Sequence, residues 1–462
     1  MRSALLAITL CVTLLAVSAA TPVDSLRSHW GPLPAPSDST RAIPTAPPTP
    51  AWKHLVRVPY YVAAVPLTAV DWTARGLIAE AEEAGLFRPS SFLVQGIRDP
   101  LGNFWLPTGS LSDDRGLEVG VVAQRPHFPG DYWVTRVSAT TSTREAHALT
   151  GGMRSRFGDD TWFEVGTGTV REDNVDFHGL GWDSAEEDLS EYRRDIDWIG
   201  SSWRQDWTGL ATTTLAVMHS TVEALDGDAD DDVGELRQVH ADLLPPGFAS
   251  ASSGVTAAAK LELDSTTRDG NPADGSRLVL RAERFWSTDD SGAESWTWGG
   301  SAEHFLELWW PQRTLAIKAW WLRQEATGSA PIPFTRQLDN GDPHRLRGFG
   351  SDRFRATGTT GLTVEYRWPF WILNEPGGAG VDAYLFGDVG QFFDDVSEIR
   401  AERLLTSGGL GLRAIGTDGG FVLRTELAVG REGVELRLSG QQMFQFIKAG
   451  FYAGSDPLPF VR

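Results

Sequence analysis

From Leu117 to Phe444 the chain repeats one local pattern, and this repetition limits what it can fold into. Short segments that alternate between apolar and polar positions, or are rich in aromatics, are separated by clusters of Gly, Pro, Asn, Asp and Ser. Fifteen can be placed, at 117–124, 132–140, 144–155, 160–170, 189–200, 206–219, 255–264, 277–286, 296–310, 314–324, 360–370, 381–390, 404–414, 420–430 and 433–444. A period of two is that of a strand with two different faces. In Leu261-Glu262-Leu263 and Leu278-Val279-Leu280-Arg281-Ala282-Glu283 the alternate residues are apolar with ionic ones between them, which suits one face on lipid and one on a wet lumen. A closed single-chain barrel takes an even number of antiparallel strands, so a sixteenth is expected, with Phe92 to Ile97 as the candidate. Trp309, Trp310, Trp320, Trp321, Trp368 and Trp371 fall at or near segment ends, where they are expected to form interfacial girdles.

Composition agrees with this pattern. The 462 residues include 49 Gly, 19 Trp and one Cys, which favours many turn-punctuated strands and excludes a disulfide framework. Forty-one basic against 61 acidic residues give a net charge of −20, so nucleic acid is excluded as a partner. Arg2, the apolar run Ala4 to Val17 and Ser18-Ala19-Ala20 have the order of a secretory signal peptide over 1–20, with Cys11 inside the run. After residue 20 no window approaches the roughly 20 apolar residues of a membrane helix. Any spanning therefore falls to strands. Residues 21–51 are expected to be a Pro-rich periplasmic linker. Val70, Ala74, Leu77, Ile78 and Ala81 share a helical face, with capping-box spacing at Thr68 and Asp71, and predict an amphipathic helix over 68–84 inside a periplasmic segment 52–110. The barrel is expected over 111–444, followed by a tail over 445–462.

Between the last strands of the pattern lies His344-Arg345-Leu346-Arg347-Gly348-Phe349-Gly350, preceded by the turn cluster Asp339-Asn340-Gly341-Asp342-Pro343. It reads as loop. A flexible Gly348 and an anchoring Phe349 let the Arg347 guanidinium aim at a carboxylate. Phe386-Gly387-Asp388-Val389-Gly390 offers one in Asp388, flanked by glycines that let other backbone approach. Glu365 and Arg367 alternate to one face of the intervening strand and are expected to add lumen charge.

On these residues the chain resembles the BamA/TamA-type outer-membrane barrels of the bacterial surface antigen family. Leu346-Arg347-Gly348-Phe349 is similar to the Val/Ile-Arg-Gly-Phe/Tyr motif of their sixth extracellular loop, and Phe386, Asp388 and Gly390 match the Phe-x-Asp-x-Gly motif of their thirteenth strand. Phe177-His178-Gly179-Leu180-Gly181 resembles the family's Phe-Tyr-Gly-Ile-Gly turn, and Asp264 to Gly275 is an imperfect match to a family hairpin. The resemblance implies that Arg347 locks the loop against Asp388 inside the barrel. It further implies a bacterial outer-membrane protein that assists insertion or translocation of proteins or lipids through a lateral seam, without covalent chemistry. The segment before Leu117 leaves no room for the POTRA modules such proteins usually carry, so a passive pore or structural barrel is the alternative. Leu436, Leu438 and Phe444 are expected to form the closing-strand signal, with Val434, Leu436 and Leu438 turned outward.

No other chemistry is expected. Asp226 to Asp232 imitates a calcium loop but has Asp231 where Gly is needed and Arg237 where Glu is needed. The nine His form no i, i+4 pair, and no Gly-x-Ser-x-Gly elbow is present. We therefore expect an all-β, 16-stranded antiparallel transmembrane β-barrel with a short N-terminal periplasmic helix, monomeric and not an enzyme. No catalytic, cofactor or metal site is expected, and the partners are outer-membrane lipid and client or partner proteins on the periplasmic side.

Overall fold

In the computed structural model the described residues are 97–98, 104–112 and 116–439, apart from 159, 228–232, 267–271, 309–312, 342–343, 345, 373–379 and 416–421. The expected signal peptide, linker, helix 68–84, tail and Phe444 lie outside them. The rest is an antiparallel barrel of sixteen strands. In chain order these are β1 (Phe104–Ser112), β2 (Gly116–Pro126), β3 (Trp133–Ser142), β4 (His147–Phe157), β5 (Thr161–Phe177), β6 (Ser190–Thr208), β7 (Ala211–Leu225) and β8 (Ala251–Asp264). There follow β9 (Gly275–Ser287), β10 (Ser295–Glu307), β11 (Thr314–Ala326), β12 (Gly358–Ile372), β13 (Gly380–Phe393), β14 (Leu405–Ile415), β15 (Val422–Gly430) and β16 (Gly433–Ser439). Each strand pairs with its neighbours in sequence, and β16 returns to β1. Ile97–Arg98 adds two residues beside β1, and Gly234–Glu235 two beside β6.

A strand missing from the sequence reading is β1, at Phe104–Ser112, so the barrel wall begins before residue 111; of the expected Phe92 to Ile97 only Ile97 lies within the described residues, in a two-residue strand beside β1. The β1 sequence, Phe-Trp-Leu-Pro-Thr-Gly-Ser-Leu-Ser, does not alternate, and Pro107 argues against a central strand. Among the described residues β1 meets β16 at one pair, Leu111 with Leu438, whereas on its other side it is paired with β2 along its whole length. The turn between β6 and β7 is at 209–210, so Asp206 to Thr208 belong to β6 and not to the following strand.

Connections differ in length at the two ends. One end carries 178–189, 226–250, 327–357 and 394–404, and the other has short links such as 158–160 and 209–210. The wall between them has an inverted polarity. Leu215 and Val217 on β7, Leu261 and Leu263 on β8, Leu278 and Leu280 on β9, and Leu410 and Leu412 on β14 are exposed on the outside. Lys318, Glu303 and Arg277 are buried on the inside and pair with one another. A soluble sheet would bury its leucines and expose its charges. The reverse arrangement suits an outer surface in contact with hydrocarbon.

The expected tryptophan girdle is partly misplaced. Trp320 and Trp321 are near the middle of β11, and Trp320 is buried on the lumen side. Gly361, opposite on β12, makes room for its indole, since a Cβ there would lie 2.2 Å from the ring. The exposed indoles include Trp286, Trp296 and Trp298, with Arg284 over the rings of Trp286 and Trp296. Trp368 stacks on Tyr366. Trp309 and Trp310, and the side chain of Trp371, lie outside the described residues.

Leu280 lies near the middle of β9 and faces out. Leu280→Arg should destabilise the barrel by about 2–4 kcal/mol in lipid, measured as a lowered denaturant midpoint in vesicles. An unchanged midpoint would contradict the assignment of this face to the bilayer.

Candidate functional site

The connection 327–357 turns inward and crosses the lumen, and its hold on the wall is built from a few side chains. The β13 residues Tyr384, Phe386, Asp388 and Gly390 alternate onto the inner face. The Arg347 guanidinium lies over the Phe386 ring, 3.5 Å from its centroid. Its Nε donates to Asp388 Oδ2 and its Nη2 to Oδ1, both at 2.7 Å, and the Arg347 backbone N–H donates to Oδ2 at 3.2 Å. This is the fork-to-fork geometry that a lysine lacks. Gly390 completes the seat, because a Cβ there would come within 2.9 Å of Leu346 Cδ2.

Asp388 is one of three carboxylates on Arg347. Nη1 donates to Glu365 Oε1 at 2.6 Å and to Glu426 Oε1 at 3.0 Å. Glu365 in turn accepts from Arg367 Nε at 2.9 Å. Glu426 accepts from the Tyr384 hydroxyl at 2.8 Å and pairs with Arg424 at 3.1 Å. Arg413 donates to Asp382 on the same wall at 2.8 Å. Arg347, Arg367, Arg413 and Arg424 therefore stand against Glu365, Asp382, Asp388 and Glu426. Equal numbers of opposite charges keep the buried cluster neutral as a whole, which makes such burial tolerable.

The loop is also shaped from within. Asn340 is fully buried; its Oδ1 accepts from Leu346 N–H at 2.7 Å, and its Nδ2 lies within 3.0 Å of the carbonyls of Leu346, Phe349 and Gly350. Phe349 packs on Phe354, which stacks on Phe392. Together with Trp320, Leu346, Ala356 and Leu405 these residues form an apolar core inside the lumen. Gly348 adopts φ +81°, and a Cβ there would lie 2.9 Å from Gly430 N. The motif glycine is thus required both by its conformation and by the close approach to β15.

A second anchor sits on the opposite wall. Arg336 lies over the Phe285 ring, at 4.1 Å, and donates to Ser252 O at 2.7 Å, Ser252 Oγ at 2.9 Å and Ser220 O at 3.2 Å. Beyond both anchors in the chain, Arg353 grips Glu432, in the turn before β16, at 2.8 and 3.0 Å, and also Ser184. The Gly348 N–H donates to Glu435 of β16 at 2.9 Å. The glycine turn at 177–181 joins the assembly through Gly181 N–H to Arg355 O, at 2.8 Å.

Of the sequence-derived site residues, the structure brings together Arg347, Gly348, Phe349, Glu365, Arg367, Phe386, Asp388 and Gly390. Leu436 is exposed on the outside as expected. Leu438 lies on the same strand face as Val434 and Leu436 and is buried at the point where β16 meets β1. Asp226 pairs with Arg237, the residue at the calcium loop's twelfth position, at 2.9 Å. Glu426 and Arg424 were missed, although Arg424-Thr425-Glu426 repeats the alternation seen at Glu365 and Arg367. Asn340 was read as a turn former, and nothing local in the sequence marks Arg336.

No protein-family model matches the chain, and no curated protein matches it. Among solved structures it is similar to BamA from Haemophilus ducreyi lacking POTRA domains 1–3, with a TM-score of 0.53 and 14% identity over 73% of this chain and 68% of that one. CdiB from Escherichia coli gives 0.47 at 14% identity, over 72% and 61%, and CdiB from Acinetobacter baumannii 0.45 at 15%, over 73% and 59%. The fold is that of a sixteen-stranded transmembrane β-barrel, and its architecture is similar to that of BamA. At 14% identity the likeness to BamA is one of fold, and activity does not follow from fold.

Arg347→Lys should loosen the loop even though the charge is kept. Loss of one charge-assisted hydrogen bond costs about 1.5 kcal/mol, so proteolytic nicking within 327–357 should rise roughly tenfold in the intact detergent-solubilised barrel. Arg347→Met should be worse, because three carboxylates then lose their shared cation. A reciprocal Arg347/Asp388 reversal should restore little, since the new acid would face Glu365 and Glu426. Wild-type resistance in the Lys variant would refute a geometric role for the guanidinium.

Proposed function

We propose that this chain is a bacterial outer-membrane barrel that assists insertion or translocation of proteins or lipids by opening sideways between β1 and β16. The observation that carries the reading is the seam. Where other neighbouring strands share long ladders, β1 and β16 share one pair among the described residues, Leu111 with Leu438. A strand edge with unmade backbone hydrogen bonds can template an incoming strand.

The long connections face outside and the short turns face the periplasm, as in other outer-membrane barrels. In this orientation 327–357 is an outer loop folded into the lumen. It touches β16 through Glu435 and the turn before it through Glu432, so it braces the closing strand. A loop anchored on both walls by Arg336 and Arg347 obstructs the lumen, which weighs against a simple open pore. The reading includes no covalent step, cofactor or metal.

Leu111→Cys with Leu438→Cys tests the seam, since paired strand residues lie within disulfide reach. The oxidised variant, reconstituted in vesicles, should lose its ability to accelerate membrane assembly of an unfolded β-barrel client and should recover it on reduction. If the crosslinked barrel works as well as the reduced one, sideways opening is wrong. A steady, ohmic conductance indifferent to the crosslink would instead favour the passive pore.

A further inference from the structure

A cleft of about 690 Å³ opens on the outer wall at its short-turn end, across β8 to β11. The volume lies within the roughly 300–1,000 Å³ of small-ligand clefts. Ala302 and Ala319 form its floor, where a methyl group barely rises above the backbone, and Leu263, Leu278 and Ile317 stand around them. Its lining also includes Asp264, Ser265, Arg277 and Glu303, and two further polar residues stand at its rim. Ser276 and His304 are cross-strand partners on β9 and β10, and Ser276 Oγ lies 2.8 Å from His304 Nδ1. Ser265 fixes the serine backbone, its Oγ accepting from Ser276 N–H at 3.0 Å. His304 is exposed, and its Nε2 has no partner among the described residues.

Polar groups turned toward lipid are unfavourable unless something polar meets them. In the tautomer in which Ser276 donates to Nδ1, Nε2 carries the ring proton and is an outward donor at the end of an apolar groove. No carboxylate lies on Nε2 among the described residues, so the pair lacks the acid that orients a general base, and its chemistry is that of binding. We propose that the cleft holds one glycerophospholipid, with an acyl chain over Ala302 and Ala319 and a phosphate oxygen accepting from His304 Nε2–H. The placement rests on the membrane orientation proposed above, in which the short-turn end meets the periplasmic leaflet.

The test uses the full-length barrel in mild detergent, loaded with phosphatidylethanolamine, phosphatidylglycerol or diacylglycerol, with retained lipid counted by native mass spectrometry. Wild type should hold one molecule of either phospholipid and little diacylglycerol. His304→Ala should lower phospholipid occupancy at least tenfold, and His304→Gln, which keeps a donor, should retain part of it. Ala302→Trp should fill the floor and abolish retention. The shifted mobility of unboiled samples on a denaturing gel checks that each variant is folded. Equal occupancy in wild type and His304→Ala, equal retention of diacylglycerol, or full retention in Ala302→Trp would each overturn the proposal. None of these outcomes bears on the seam, because the Leu111/Leu438 crosslink lies elsewhere in the wall and is read by client assembly.

Discussion

One buried guanidinium organises the interior. Arg347 has no access to bulk water, and its charge is met by Asp388, Glu365 and Glu426 from three different strands, β13, β12 and β15. Removing one member of a buried pair typically costs about 3–5 kcal/mol, because the remaining charge is left unpaired. Here the dependence runs in both directions. The loop needs the carboxylates to fix its tip, and the strands need the loop's cation to hold three acids on one patch of wall. Arg367 on Glu365 and Arg424 on Glu426 relieve part of that repulsion, while Arg347 reaches all three carboxylates.

The inverted wall explains why the loop occupies the lumen. A barrel with leucines outside carries only limited apolar clusters on its inner face, such as Val170, Ile196, Trp198 and Met218, beside pairs such as Arg277 with Glu303 and Lys318 with Glu303. The connection 327–357 adds a further apolar core to them. Leu346, Phe349 and Phe354 pack against Trp320 and Phe392, and Phe334 packs near the long-loop end against Phe177 and Tyr192. Each large apolar side chain buried in this way contributes about 1.5–3 kcal/mol. Gly361, Gly390 and Gly430 supply the clearance, each at a point where a Cβ would collide with the incoming loop or with the indole beneath it.

The fold was legible in the sequence because a period of two survives in most strands, and because leucines alternating with ionic groups have few explanations other than a wet interior. It was illegible at β1, where Phe104-Trp105-Leu106-Pro107 breaks the alternation and a proline points away from a ladder. The lock could be read from Arg347 and Asp388 because guanidinium and carboxylate are matched in geometry as well as in charge. Glu426 was visible by the same alternation and was overlooked. Asn340 and Arg336 were not visible. Their roles depend on where the loop backbone passes, Asn340 capping its own tip and Arg336 meeting the carbonyls of Ser220 and Ser252, and a turn-forming Asn or a loop Arg looks the same in sequence whether it is buried or solvated.

The lock and the seam meet on β16. Glu435 of that strand accepts from the Gly348 N–H, and Glu432, in the turn before it, is held by Arg353. Both contacts come from the segment whose tip Arg347 fixes. Part of the stability of the closing strand therefore comes from a loop as well as from its neighbouring strands. Coupling of this kind is reciprocal. If loosening the loop favours an open seam, then anything that occupies the edge of β1 or β16 must by the same free energy loosen the grip of the loop. The neutral charge cluster behind Arg347 limits how far that loosening can spread, because moving the guanidinium away exposes three acids to one another.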